Sequence, residues 1–217
     1  MSSIFINGAQ YSMSTVLGTA IPVTAVSNAT EAVATAAAPP TNGAILLVKS
    51  GWSALDDTVA RAAGTTASSF KLEGVNTVDT TIFPAGQGAG SVQVASSFVP
   101  LDQIRDIQIT GGDQQFAQWQ YAEDRNSRQR QKPTFKNAMQ IAITMDYDPK
   151  KPWYAALIAA DQKGEPVVIS CVLTNKATML YLAYPSFNKV PTAAMNENMQ
   201  NTATFSLIAE PIRYEAV

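Results

Sequence analysis

The strongest pattern in the sequence is an apolar and polar alternation between Thr134 and Tyr147. Its odd-numbered positions are apolar, with Asn137 as the exception, and its even-numbered positions are small or polar. A period of two is typical of a β-strand with one buried face. The pattern therefore predicts one long strand near the centre of an antiparallel sheet, with Met139, Ile141 and Ile143 facing the core.

Composition favours a chain whose surface is covered by other chains. Hydrophobic residues make up 46% of the 217 residues and charged residues only 15%, which is below the usual quarter. The simplest cover is copies of the same chain, although a merely Ala- and Thr-rich sequence would give similar values. The net charge of −2 argues against nucleic-acid binding by the chain as a whole.

A single helix is predicted at about residues 149–163. Asp148 and Pro149 form a helix-start signal, Trp153 and Leu157 share one face, and Gly164 is a typical stop. This helix is expected to cover the apolar face of the sheet. Strands are also predicted around Cys171 and over Gln200–Tyr214, and a hairpin is predicted from Leu101–Thr110 and Gln114–Tyr121. The predicted core includes Ile141, Ile143, Trp153, Leu157, Cys171 and Phe205.

The predicted fold is mainly β, an antiparallel β-sandwich or rolled sheet flanked by that helix. We interpret residues 1–217 as one domain in three parts. Residues 1–43, with Glu31 as the only ionised side chain, are expected to form an extended arm with one or two strands. Residues 44–95 form a small β segment with a long loop, and residues 96–217 form the main sheet and the helix. Residues 53–63 fit either a helix or a strand.

The segment Ala122–Lys132 is the most polar in the chain and is predicted to be a mobile loop. It contains the basic residues Arg125, Arg128, Arg130 and Lys132. The three interpretations are a solvated loop, a phosphate-binding segment, and a contact with acidic groups on another subunit.

No catalytic, cofactor or metal site is predicted. Histidine is absent, and the one cysteine lies in an apolar run where a buried, inert thiol is expected. The Ser-x-x-Lys spacings at Ser68 and Ser186 do not open helices, so chance explains them. The N-terminus lacks the pattern of a secretory signal, and no stretch is long and apolar enough to span a membrane. The chain is therefore expected in a cytoplasm or in an assembly made there.

The order of segments resembles the major tail tube proteins of long, non-contractile-tailed bacteriophages of the siphovirus type. The resemblance rests on GAILLVKSGW, on the block VPLDQIRDIQITGGDQQFAQWQYAEDRN with the alternating strand after it, and on the final TATFSLIAEPIRYE. It covers most of the chain from Gly43 onward.

The resemblance implies a structural virion protein without catalytic residues. Such proteins form hexameric rings whose sheets join into a channel, and the rings stack into a tube that conducts DNA. The implied partners are other copies of the chain, the tape measure protein, the tail terminator and the tail-tip proteins, with transient passage of DNA and no membrane insertion. By analogy Ala122–Lys132 would order on ring stacking, the arm would reach a neighbouring subunit, and Gln140, Ala142 and Thr144 would face the channel. Two alternatives are the tube of a contractile or secretion system and a capsid-decoration or adhesion module.

Overall fold

The computed structural model describes residues 7–126 and 128–216. They form a mainly β fold with large antiparallel sheets and one helix, α1 (Pro152–Lys163). The strands are β1 (Gln10–Leu17), β2 (Ile21–Val23), β3 (Ala25–Val26), β4 (Val33–Thr35), β5 (Ile45–Ser50), β6 (Thr58–Ala63), β7 (Ser69–Leu72), β8 (Gly90–Leu101), β9 (Ile104–Thr110), β10 (Gln114–Trp119), β11 (Arg130–Lys136), β12 (Gln140–Asp146), β13 (Val167–Val172), β14 (Thr178–Phe187), β15 (Gln200–Leu207) and β16 (Ile212–Tyr214).

Most of the strands follow one continuous, curved path. Their order is β3-β4-β7-β6-β5-β8-β1-β13-β14-β15-β12-β9, while β2 adds to β8 and β16 adds to β14. Every pairing is antiparallel, as the alternating patterns predict. Strands β10 and β11 form a separate two-stranded hairpin. Within the described residues the path is open, with β3 at one end and β9 at the other.

The expected N-terminal arm is wrong for the described part of residues 1–43. Strand β1 lies in the middle of the sheet, where Met13 pairs with Val99 of β8 and Ile169 of β13. Tyr11, Met13 and Ser14 of β1 are buried, so this part of the segment belongs to the packed fold. The predicted short strand at Ile4–Ile6 lies outside the described residues.

The main core lies between the sheet and α1. Trp153 and Leu157 are fully buried, in one cluster with Ile141, Ile143, Cys171 and Phe205, and the Trp153 ring lies edge-on to Phe187 of β14. The helix begins later than predicted: Lys151 is its N-cap and Pro152 its first residue. Gly164 ends it in the left-handed conformation (φ 65°), and its N–H donates to Ala160 O at 3.1 Å.

A second core lies in the small lobe formed by β2 to β7 with part of β8. Residues 58–63 form strand β6, which decides between the two interpretations of residues 53–63. Ala60 and Ala62 face the same core as Phe70, and their small side chains let the strands pack closely. Trp52 lies in the turn before β6, and its Nε1–H donates to Pro84 O at 2.7 Å.

A third core lies inside the curve of the sheet, where β14 and β16 return to β6. The backbone N–H of Arg61 in β6 donates to the hydroxyl of Tyr214 in β16 at 2.9 Å. The prediction of one long strand over Gln200–Tyr214 is wrong, since the chain forms two strands there, β15 and β16. The segment between them contains Pro211, which has no N–H for strand pairing.

We predict that adjacent residues of β12 differ sharply in their effect on stability. Ile143 is fully buried in the main core, so Ile143→Ala should lower the free energy of unfolding by about 2–5 kcal/mol. Thr144 faces the opposite side, so Thr144→Ala should cost less than about 1 kcal/mol. Urea unfolding of the two variants measures the difference, and equal losses would contradict the assignment of the two faces.

Candidate functional site

The β10–β11 hairpin projects from the rest of the fold. Every residue of β11 is exposed, and so are four residues of β10. Phe135 is 65% exposed and Phe116 52% exposed, which is unusual for large apolar side chains in an ordered strand. An isolated two-stranded hairpin is only marginally stable in water. The hairpin is therefore a surface suited to packing against another chain.

The pairing of this hairpin corrects two predictions. The expected hairpin of Leu101–Thr110 with Gln114–Tyr121 is wrong, because β9 pairs with β12 and β10 pairs with β11. The expected mobile loop Ala122–Lys132 is too long, because β11 already begins at Arg130. The glycines Gly111 and Gly112 predict a hairpin turn, but at this point the chain passes from the large sheet to the two-stranded one.

The predicted basic residues all lie on this hairpin or its tip. Arg130 and Lys132 lie in β11, opposite Trp119 and Ala117, while Arg125 and Arg128 are exposed in the connection. The guanidinium of Arg130 lies 4.9 Å from the centre of the Tyr121 ring, a cation–π contact. Within the described chain none of the four forms an ion pair, so their charges are available to a partner.

Two short connections join the hairpin to the main sheet, and they interrupt the predicted long strand Thr134–Tyr147. That strand is in fact β11 and β12, separated at Asn137–Met139. Gly111 and Gly112 on the other connection have φ of +84° and +82°. A Cβ on Gly111 would lie 2.0 Å from Ala138 O, so only glycine lets the two connections approach so closely.

Hydrogen bonds and one ion pair fix the base of the hairpin. The Asn137 backbone N–H donates to Asp113 O at 2.9 Å, and the Gly112 N–H donates to Asn137 O at 3.2 Å, so the two connections are joined through their backbones. Lys136 Nζ lies 2.6 Å from Glu210 Oε1, and this contact lowers the pKa of Glu210. Both side chains are largely exposed, so the pair orients the hairpin more than it stabilises the fold.

The second candidate surface is the face of β12 that points away from α1. Gln140, Ala142 and Thr144 lie in a row on it, between β9 and β15. The Thr144 and Thr202 hydroxyls are 3.1 Å apart, and Gln140 Nε2 donates to Ser206 Oγ at 3.3 Å. The residues that pair with this row are Asp106, Gln108, Thr110, Thr202, Thr204 and Ser206. No lysine or arginine occurs in these pairs.

The described residues contain no group of three or more His, Cys, Asp or Glu side chains that could hold a metal. Cys171 is buried, and burial raises the pKa of its thiol. Lys71, of the Ser68 spacing, pairs with Glu31 at 2.7 Å. No helix in the described part of the chain is long and apolar enough to cross a membrane.

The sequence of the chain matches a known protein family. The family described as "Phage tail tube protein, TTP" matches residues 50–216, which is most of the chain. The chain belongs to the phage tail tube protein family. The resemblance to phage tail tube proteins is thereby confirmed, and the family places the chain among structural components of phage tails. No curated protein sequence matches the chain.

Solved structures with similar folds come from contractile injection systems. The sheath/tube terminator of an extracellular contractile injection system (PVC) is 19% identical, covers 49% of this chain and 83% of its own, and has a TM-score of 0.36. A chain of the anti-feeding prophage (AFP) baseplate is 11% identical, covers 55% and 85%, and has a TM-score of 0.39. Likeness at this level bears on neither the function nor the assembly of the tail tube protein described here.

In this tail tube protein the structure separates the residues singled out from the sequence into three places. The basic residues lie on the hairpin, the row of Gln140, Ala142 and Thr144 lies on the polar sheet face, and the six predicted core residues lie in the main core, two of them on α1. Sequence reasoning missed the rest of the polar face. Its signal was present in β15, where Thr202, Thr204 and Ser206 alternate with Ala203, Phe205 and Leu207.

We predict that Gly111→Ala disturbs the base of the hairpin more than a matched glycine change does. Gly43 has a similar φ of +82° but open space around its Cβ position. Gly43→Ala should therefore lower the free energy of unfolding only by the strain of a left-handed alanine, roughly 1–2 kcal/mol. Gly111→Ala adds a clash with Ala138 O. Hydrogen exchange at the Asn137 amide should therefore accelerate in Gly111→Ala alone. Equal exchange in both variants would contradict this account of the base of the hairpin.

Proposed function

We propose that this protein is the major tail tube subunit of a long, non-contractile phage tail. Copies of the chain form hexameric rings that stack around a tape measure protein, between a tail terminator and tail-tip proteins. The completed tube conducts DNA during genome ejection and is assembled in the cytoplasm of the bacterial host. The protein acts by assembly and not as an enzyme.

The observation that supports this proposal most strongly is the exposed β10–β11 hairpin, since the rest of the fold is well packed. Its exposed aromatic side chains and unpaired cations suit a contact that forms only in the assembly. Phe116 and Phe135 would supply the buried apolar area, and Arg125, Arg128, Arg130 and Lys132 would pair with carboxylates of a neighbouring subunit or ring. The low charge of the chain as a whole agrees with a surface that is mostly covered after assembly.

The polar face of β12 is the proposed inner wall of the tube. A wall without lysine or arginine beside the DNA lets phosphates pass without being held, because cations would bind them strongly. Gln140, Ala142 and Thr144 meet this condition, and so do the residues that pair directly with them on β9 and β15. Arg105 of β9 lies near the row, but its charge is balanced by Asp146, which accepts from Arg105 Nε at 2.8 Å.

Shortening the hairpin tip tests the assembly role. Deletion of residues 126–129 removes the tip but keeps both strands and Arg130, so the fold should remain intact. We expect the variant to stay monomeric at concentrations at which the wild type forms tubes, as seen by negative-stain microscopy and light scattering. A matched control replaces the same residues with a Gly-Ser segment of equal length. Normal tubes from the deletion variant would refute the stacking role of the hairpin.

Thiol labelling tests the proposed channel wall. In Thr144→Cys the new thiol should react with both a small maleimide and a bulky polymer-linked maleimide while the protein is unassembled, since the native Cys171 is buried. In tubes only the small reagent should reach it. Equal reaction with the bulky reagent before and after assembly would place Thr144 outside the channel.

A further inference from the structure

The four strands β14, β15, β12 and β9 form the part of the sheet that carries the polar face, and its two edges differ. The pattern of hydrogen bonds shows which backbone groups point outward at each edge. Antiparallel strands direct the N–H and C=O of successive residues to opposite sides. An edge that keeps both groups free can bind a further strand, and one that lacks free N–H groups cannot do so fully.

The β9 edge is open. Asp146 N–H donates to Gln103 O on the β9 side at 3.1 Å, whereas Tyr147 N–H donates to Met199 O on the β15 side at 2.8 Å. Even-numbered residues of β12 therefore bond to β9, and the register opposes Ala142 to Gln108. The backbone groups of Ile107 and Ile109 consequently point away from β12. In the described chain β9 ends the sheet path, and Ile109 is 54% exposed.

The β14 edge is closed beyond Ala183, where its pairing with β13 ends. Ile208 N–H donates to Leu182 O at 2.9 Å, so Pro185 and Phe187 direct their backbone groups away from β15. Pro185 has no N–H, and the Phe187 N–H already donates to Asp161 Oδ1 of α1 at 3.2 Å. Pro185 is itself buried. Proline and a side-chain cap are devices that prevent strand addition at an edge.

We propose that the open β9 edge binds a strand of the β10–β11 hairpin from a second copy of the chain. The proposal rests on the assembly role given to the hairpin above and names the surface that receives it. Addition to β9 would give the two-stranded hairpin the third strand that it needs for stability. The closed β14 edge limits this pairing to one side of each subunit, so the sheets cannot extend through β14.

Charge and geometry favour the hairpin of a second copy as the occupant. The Asp106 carboxylate lies beside the open edge and has no cationic partner among the described residues, while Arg130 and Lys132 are free on the hairpin. Exposed Ile109 would meet the exposed Phe116 and Trp119. The subunit's own hairpin is tied to the other side of β12, because Lys136 pairs with Glu210 just after β15.

Proline substitution at the open edge tests the proposal. Ile109→Pro removes only an outward N–H and leaves the bonds between β9 and β12, whereas Ile109→Val keeps every backbone group. We expect Ile109→Pro to raise the concentration required for tube formation roughly tenfold or more, and Ile109→Val to leave it nearly unchanged. Circular dichroism and thermal unfolding check that both variants are folded. Tubes from Ile109→Pro at the wild-type concentration would overturn the proposal.

A disulfide test identifies the partner strand even if the proline variant fails to fold. Chains with Gln108→Cys are mixed with differently tagged chains that carry Gln118→Cys in β10 or Gln131→Cys in β11, so a disulfide between the two tags joins two copies. We expect this mixed product in tubes. A product of Gln108→Cys with Ser186→Cys instead, which would place β14 at the junction, overturns the proposal. Absence of tubes from the wild type would refute the proposed function itself, whereas wild-type tubes without the expected disulfide refute only the pairing of β9 with the hairpin.

Discussion

The burial of one face of β12 in the main core, which also holds the apolar side of α1, is the interaction on which the rest of the structure depends. Ile141, Ile143 and Met145 are buried there with Trp153 and Leu157. Because side chains alternate along a strand, burying this face fixes the opposite row as exposed and polar. A slip of one residue would place threonine and glutamine in the core and isoleucine on the surface. The same contact thus sets the register of β9 and β15 and the chemistry of the face proposed to line the channel.

The second structural theme is the separation of this rigid sheet from a projecting hairpin. The alternation that builds β12 continues into β11 in sequence, but Asn137 and the paired glycines Gly111 and Gly112 interrupt it in space. Each side of the break then serves a different purpose. The sheet buries its apolar face within the subunit, while the hairpin leaves Phe116 and Phe135 exposed. A subunit that must fold alone and then polymerise requires both behaviours in one chain.

The sequence was most informative where structure depends on local periodicity. The alternation of buried and exposed residues in β12 and the helix with Trp153 and Leu157 both follow from patterns within a few residues. Pairing between distant strands was much less accessible. The sequence predicts an arm at β1 because the strands that pair with it, β8 and β13, lie far away in sequence. Strand β8 was missed as an element, and the left-handed Ser97 (φ 53°) interrupts its regular geometry. The sequence predicted the basic residues and the polar row of β12. It did not predict the sheet edges at β9 and β14 or the glycines at the base of the hairpin.

The most direct test of the account is a helical reconstruction of assembled protein by electron cryomicroscopy. The account predicts a hollow tube of stacked six-membered rings, with Gln140, Ala142 and Thr144 facing the channel and the β10–β11 hairpin packed on another subunit. A reconstruction in which the α1 side of the sheet faces the channel, or in which the hairpin stays free in solvent, would contradict it.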